Sequence, residues 1–232
     1  AAVDLVKRDL VTLYIEDMNK IDPTGKAARL YQHIPAQLSK NAVRYQAREV
    51  LGDSVADMTA NIVRLMASSM TTNVCYHSND PNAGLALTID DARFKLYTSD
   101  TVMFFTLAFM DKSFTDNVIY QKLLTDKLGS NLGYLYENMV AQMLHATGKM
   151  LYYHTIPYHD RKKYYEVDFV LADGFKVSPI EVKSSGYKAH ASLDAFSQQY
   201  SDRIVHKYLL YTKDQQRVGD IQLLPIYMTM FL

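Results

Sequence analysis

Residues 164–185 read YYEVDFVLADGFKVSPIEVKSS, and the fold turns on how this stretch is parsed. Two largely apolar runs flank Asp173-Gly174, a dipeptide that favours a hairpin turn. Residues 165–171 and 177–182 are therefore expected to be strands, paired antiparallel. Residues two apart on a strand share a face. Glu181 and Lys183 should then point one way, and Ile180 and Val182 the other. On the preceding strand, Val167, Phe169 and Leu171 should share a face, with Asp168 on the face of Glu166 and Val170. In the register that the turn suggests, Asp168 comes to lie near Glu181.

Two carboxylates and an ammonium on paired strands suit a hard divalent cation. Magnesium usually takes one or two carboxylates, with waters and phosphate oxygens completing its shell. Asp168 and Glu181 are the candidate ligands for Mg2+ (or Mn2+), and the carbonyl of Val182 is a third oxygen. Lys183 is placed to orient or deprotonate an attacking water and to offset phosphate charge. The competing account is a pair of ordinary solvated charges. The apolar setting of Pro179, Ile180 and Val182 argues instead for a sheet end facing a cleft, where unpaired charge is costly.

Glu137 belongs to the same question. Residues 132–147 form a helical pattern that is apolar on nearly every face, so the helix should be buried. The neighbours of Glu137 at three, four and seven residues on are Val140, Ala141 and Leu144. A carboxylate on that face needs a partner. It either joins the metal site, directly or through water, or pairs with an arginine or lysine.

Outward from the hairpin, 150–153 reads as a strand, 189–201 as a helix, and 204–211 and 221–228 as late strands. That order gives a mixed sheet flanked by helices. The N-terminal half differs. Residues 3–18 have helical spacing, broken by Asp22, Pro23 and Gly25. Short helices follow over 26–33 and 35–40, an extended stretch over 44–51, and a helix over 55–69 capped by Asp53 and Ser54. A strand over 73–76, a hairpin of 85–89 with 94–97, and a helix over 101–109 complete it. Three helices and a hairpin make a winged-helix pattern, and the same elements suit a small helical packing module. The expected class is α+β, with a winged-helix-like helical module over 1–110, a connection over 111–130, and a sheet domain over 131–232.

Composition limits the alternatives. The chain has 232 residues and a formal net charge of zero, so no basic field covers the whole molecule. Contact with nucleic acid must come from local patches, such as Arg161, Lys162 and Lys163 before Tyr164, or Lys188 and His190. Arg64 is the lone cation over 60–69, which is thin for neutralising phosphates. The single Cys75 excludes an intramolecular disulfide and a cysteine zinc site. His145, His154 and His159 lack zinc-ligand spacing. The apolar run 102–110 is under half the ~20 residues a membrane span needs. Lys7, Arg8 and Asp9 interrupt any leader, so a cytoplasmic location is expected. The start at Ala1 suggests a processed chain or an excised fragment. KIDPTGKA (20–27) lacks the glycine spacing of a phosphate loop, and no serine has a G-x-S-x-G setting.

Several stretches taken together resemble a known group: HIPAQLSK (33–40), FKLYTSD (94–100), LYENMVAQML (135–144), EVD (166–168) and PIEVKSS (179–185). They resemble the C-terminal region of prokaryotic AAA-type ATPases of the DUF4143 family, and the restriction-endonuclease-like PD-(D/E)XK superfamily. The resemblance implies a restriction-endonuclease-like α/β domain joined to a winged-helix-like part. Asp168 and Glu181 would bind magnesium, Lys183 would position water, and Glu137 would complete the site. The implied partners are nucleic acid and an ATPase domain outside this sequence. The expected function is a magnesium-dependent nuclease-like domain. The alternative is a non-catalytic module that binds DNA or protein, and a third reading is self-association or docking on the ATPase ring.

Overall fold

The chain is α+β, with helices first and then mixed sheets flanked by helices. The computed structural model describes residues 2–40, 42–52, 56–110, 133–158 and 163–232, and the backbone alone at 56–58. Asp53, Ser54, the 111–130 connection, His159, Arg161 and Lys162 lie outside the described residues.

Helix α1 (Ala2–Ile21) ends where Asp22 turns the chain. One oxygen of Asp22 accepts from the Thr24 amide at 3.1 Å and the other from the Ala27 amide at 2.9 Å. Gly25, at φ +70°, supplies the left-handed residue before α2 (Lys26–Gln32). Helix α3 (Ile34–Ser39) follows, with Pro35 at its start. Residues 47–51, expected to be extended, are helical: α4 (Ala47–Leu51). Tertiary contacts decide the matter. Val50 is buried, and Gln37 accepts from the Gln46 amide at 3.0 Å while donating to Glu49 at 3.2 Å. In α5 (Ala56–Ser68), Ile62, Val63 and Met66 face the core.

The expected 85–89 with 94–97 hairpin does not form. Residues Leu85–Thr88 make a 3-10 turn, held by Thr88 Oγ1 against Ser78 and Asp80 and by the buried Leu85. One long strand, β2 (Ile89–Thr98), instead pairs antiparallel with β1 (Thr72–Ser78). Asp100 caps α6 (Thr101–Ala108) by accepting from the Val102 amide at 2.7 Å. After α7 (Gly133–Ala146), the other edge of β1 pairs parallel with β3 (Leu151–Pro157), and β4 (Tyr164–Val167) pairs antiparallel with β3. The first sheet therefore has the order β2-β1-β3-β4.

Residues 165–171, expected to be one strand, are two. The chain leaves the first sheet at Val167 and enters the second at Phe169, with Asp168 as the single residue between. The second sheet has the order β5-β6-β7-β9-β8. Its strands are β5 (Phe169–Asp173), β6 (Lys176–Val182), β7 (Lys207–Tyr211), β8 (Gln216–Val218) and β9 (Ile221–Pro225). As expected, β5 and β6 pair antiparallel around the turn, with Asp173 opposite Lys176 and Gly174 at φ +59°. Strands β6, β7 and β9 run parallel. Residues 226–231 form a 3-10 turn, not the strand expected to continue to 228. Helix α8 (Ala191–Tyr200) covers one face of this sheet.

The break at Asp168 also reverses the alternation. Val167 and Val170 pack with Val177 and Phe196, whereas Phe169 and Leu171 pack with Ile180 and Val182. The expected shared face of Val167 and Phe169 is therefore lost, because the strand changes sheets between them. Cys75 and Tyr97 from the N-terminal half lie in one core with Val140, Leu144, Phe169 and Leu210. Asn138, fully buried in α7, fixes this junction. Its Oδ1 accepts from the Thr98 amide at 2.9 Å, and its Nδ2 donates to the Thr98 carbonyl at 3.2 Å.

Two buried histidines stack near the sheet junction, at 5.4 Å between ring centres. His77 Nε2 accepts from the Thr155 amide at 3.2 Å, which leaves Nδ1–H to donate to Asn79 at 3.1 Å. His154 Nδ1 donates to the Ser78 carbonyl at 2.7 Å, and its Nε2 accepts from the Tyr200 hydroxyl at 3.2 Å. Burial, and then the neighbouring Arg93 and His154, push the His77 imidazole down from 6.5 to about 4.

Two outcomes follow from this packing. Asn138→Leu strands the amide and carbonyl of Thr98, and urea denaturation should show a loss of about 2–3 kcal/mol. For His77, the unfolded chain binds the proton more tightly than the folded one. Its contribution is whole above pH 6.5 and is lost as the pH falls toward about 4. The stability advantage of wild type over His77→Gln should shrink by about 2 kcal/mol on going from a mildly alkaline buffer to about pH 5.

Candidate active site

The change of sheet puts the Asp168 carboxylate at the joint between the two sheets, 8% exposed. Phe169 is opposite Ile180, so the next rung brings Asp168 beside Glu181 on β6. Asp168 Oδ2 accepts from the Val182 amide at 2.7 Å. Glu181 is 4% exposed, and its Oε1 accepts from Lys183 Nζ at 2.5 Å. Its Oε2 is buried and has no hydrogen-bond partner among the described residues. The three strand residues singled out in the sequence therefore converge.

Glu137 reaches the same cluster from α7. Its Oε2 accepts from the Tyr97 hydroxyl at 3.3 Å and lies 3.5 Å from Lys95 Nζ. Of the two expectations for Glu137, the lysine pair is present. The residue also lies within electrostatic reach of Asp168 and Glu181, whose protons its charge helps to retain.

Two members of the cluster escaped the sequence reading. Lys95 on β2 is 4% exposed and bonds Glu166 on β4 as well as Glu137. Its ammonium lies 5.5 Å from the centre of the Tyr153 ring. Glu166 Oε2 is buried without a hydrogen-bond partner among the described residues. A signal for Lys95 existed. It stands between Phe94 and Leu96 in an apolar run, where a lysine needs a carboxylate. Glu166 was assigned the face of Asp168, but the turn in the chain at that residue hid its lysine partner.

A cavity of about 270 Å³ opens onto this cluster. Lys95, Glu137, Glu166 and Asp168 line one side, and Leu38 and Val43 from the helical half line the other. The electrostatics are unbalanced. Burial, and then the charges of Glu137 and Glu181, hold the Asp168 carboxyl well above the usual carboxylate range. Burial also raises Glu181 and Glu166, with Lys183 and Lys95 respectively opposing. Burial disfavours the Lys95 ammonium, but Glu166, Glu137 and Asp168 around it more than compensate, so it stays charged.

Fully ionised, the carboxylates of Asp168, Glu181, Glu137 and Glu166 face, among the lysines and arginines of the described residues, the ammonium groups of Lys95 and Lys183. Two negative charges remain, the amount one divalent cation neutralises. Among the described residues no three His, Cys, Asp or Glu side chains form a metal-holding group by themselves. A cation held by two carboxylates, waters and phosphate oxygens needs no such group. The all-oxygen donor set and the unpartnered Glu181 Oε2 fit magnesium or manganese.

Residues 132–229 match the family described as "Domain of unknown function (DUF4143)". No curated protein and no solved structure matches the chain. Among the described residues, no helix is long and apolar enough to cross a membrane.

The charge imbalance makes opposite substitutions distinguishable by calorimetry without added metal. Asp168→Asn keeps an acceptor for the Val182 amide and removes a repelled charge. It should raise stability near pH 7.5 by about 1 kcal/mol, or about 2–4 °C in Tm. Lys95→Met leaves the half-buried Glu166 and Glu137 without their cation and should cost about 3 kcal/mol.

Proposed function

We propose that this chain is a magnesium-dependent phosphodiesterase module acting on nucleic acid, in the C-terminal part of an AAA-type ATPase. The observation that carries the chemistry is the convergence of Asp168, Glu181 and Lys183, with one Glu181 oxygen buried and unpartnered. The ATPase context rests on the motif resemblance alone. Asp168 and Glu181 would hold the cation, which when bound supplies Lewis-acid neutralisation of charge on the phosphodiester.

The chain's own residues do the rest. Lys183, still partly open to solvent, keeps its proton through Glu181 and presents an ammonium to the phosphoryl oxygen or to the attacking water. The Val182 amide orients Asp168. Lys95 holds Glu137 and Glu166 apart from Asp168 and limits their repulsion. Burial of the cluster lowers its local dielectric, so each of these charges acts more strongly than in water.

A second reading has an observation of its own. The Asp168 bond to the Val182 amide braces the change of sheet, so the residue has a structural task without any turnover. On that reading the module only binds DNA or protein.

Cleavage of supercoiled and of branched DNA separates the two. Wild type with magnesium should nick or linearise the substrate, and EDTA should stop it. Asp168→Ala and Lys183→Ala should each slow cleavage by about 100-fold or more. Equal cleavage by all three proteins, or none by wild type, would sink the catalytic reading.

A further inference from the structure

We infer that the cavity beside Lys183, bounded by Lys188 and Lys213, is a second anion subsite that grips a backbone phosphate of a nucleic-acid strand. The inference deepens the proposed phosphodiesterase reading and rests on it for the direction in which the strand runs. The cavity has a volume of about 400 Å³. Two loops from separate parts of the second sheet build it. One leaves β6 directly after the active-site strand and carries Lys183, Tyr187 and Lys188. The other leaves β7 and carries Lys213. Thr212 Oγ1 donates to the Ser184 carbonyl at 3.3 Å and ties them together. Lys183 N donates to the Leu210 carbonyl at 2.8 Å and extends that tie into the sheet.

Three lysines from the two loops therefore line one concavity. Only Lys183 has a carboxylate partner there. Among the described residues, neither Lys188 nor Lys213 has a carboxylate within ion-pair distance. Lys188 and Lys213 are exposed, and in a chain of zero net charge they give this concavity a local positive potential that favours an anion. Lys183 belongs to both places: it bonds Glu181 in the carboxylate cluster and lines this cavity. An anion here sits next to the site of bond cleavage, as a neighbouring phosphate on one strand would. Gly186 and Ala189 leave space, and Tyr187 adds a ring that packs edge-on against Tyr211 at 6.3 Å. That wall suits the sugar and base attached to the phosphate. A free inorganic anion would leave it unused.

Fluorescence anisotropy with a labelled single-stranded oligothymidylate tests the inference. The protein is the full chain in EDTA, over a salt series, so binding is read without cleavage. For the double variant Lys188→Gln with Lys213→Gln, the slope of log Kd against log salt should fall by about 0.7, the value for one lost phosphate contact. Lys176→Gln, an exposed lysine at the hairpin end of β6, should keep the wild-type slope. An unchanged slope in the lysine pair would overturn the subsite and leave the catalytic reading untouched. A lysine-dependent slope in a protein that never cleaves would support the subsite and overturn catalysis alone. Displacement of the oligonucleotide by an equimolar amount of inorganic phosphate would overturn the strand assignment in favour of a free anion.

Discussion

One buried ammonium organises the centre of this molecule. Lys95 comes from the N-terminal half, on β2, and its charge is answered by Glu166 on β4 and Glu137 on α7. Taking an ammonium out of water is costly, and only close carboxylates offset it. Once it is there, those carboxylates depend on it in turn. The first sheet's β2 is thereby joined to β4 and α7 by charge, and Cys75 and Tyr97 of the N-terminal half share an apolar core with α7 and the second sheet. Buried ion networks are seldom the most stable filling for a core, and apolar side chains of similar volume often do better. A cluster of four acids and two lysines is thus not what apolar packing alone would select.

The same cluster crowds like charges together at a cost in stability. Burial and mutual repulsion push the carboxyl groups of Asp168, Glu166 and Glu181 above their usual range, a sign of crowding. A fold selected only to persist would relieve it. Here the surrounding framework withstands it: Asn138 fixes α7 to β2, and the β5–β6 ladder keeps Asp168 and Glu181 on adjoining rungs. The apolar side chains Leu38 and Val43 line the same cavity as the charges. The N-terminal half therefore contributes to the site twice, through Lys95 on β2 and through these apolar side chains.

Much of this was legible in the sequence, for identifiable reasons. The hairpin around Asp173 and Gly174 was readable because turn chemistry is local and the flanking runs keep their period. Glu181 and Lys183 were readable because parity within one strand needs no tertiary information. Glu137 was suspect because its helical neighbours are apolar. The failures are non-local. Nothing in EVDFV announces that the chain changes sheets at its middle residue, and parity carried across that point put Val167 on the wrong side. The apolar neighbours of Lys95 hinted at burial, but its partners could not be read because they lie 42 and 71 positions along the chain. Residues 47–51 became helical through Gln37 and the burial of Val50, not through their own propensity. The 85–88 turn was misread as strand because Thr88 satisfies its neighbours locally.

The single-residue joint at Asp168 limits how the chain can vary in length. Around the Gly174–Phe175 tip, where Phe175 is 99% exposed, or at Gly219 between β8 and β9, residues can be added with little consequence for the interior. Between Val167 and Phe169 they cannot. One residue more or fewer would turn every side chain of β5 to the opposite face and carry the carboxylate off its rung. The catalytic candidate and the spacing of the two sheets are thus one length measurement. This stretch should tolerate exchange of residue type far better than insertion or deletion.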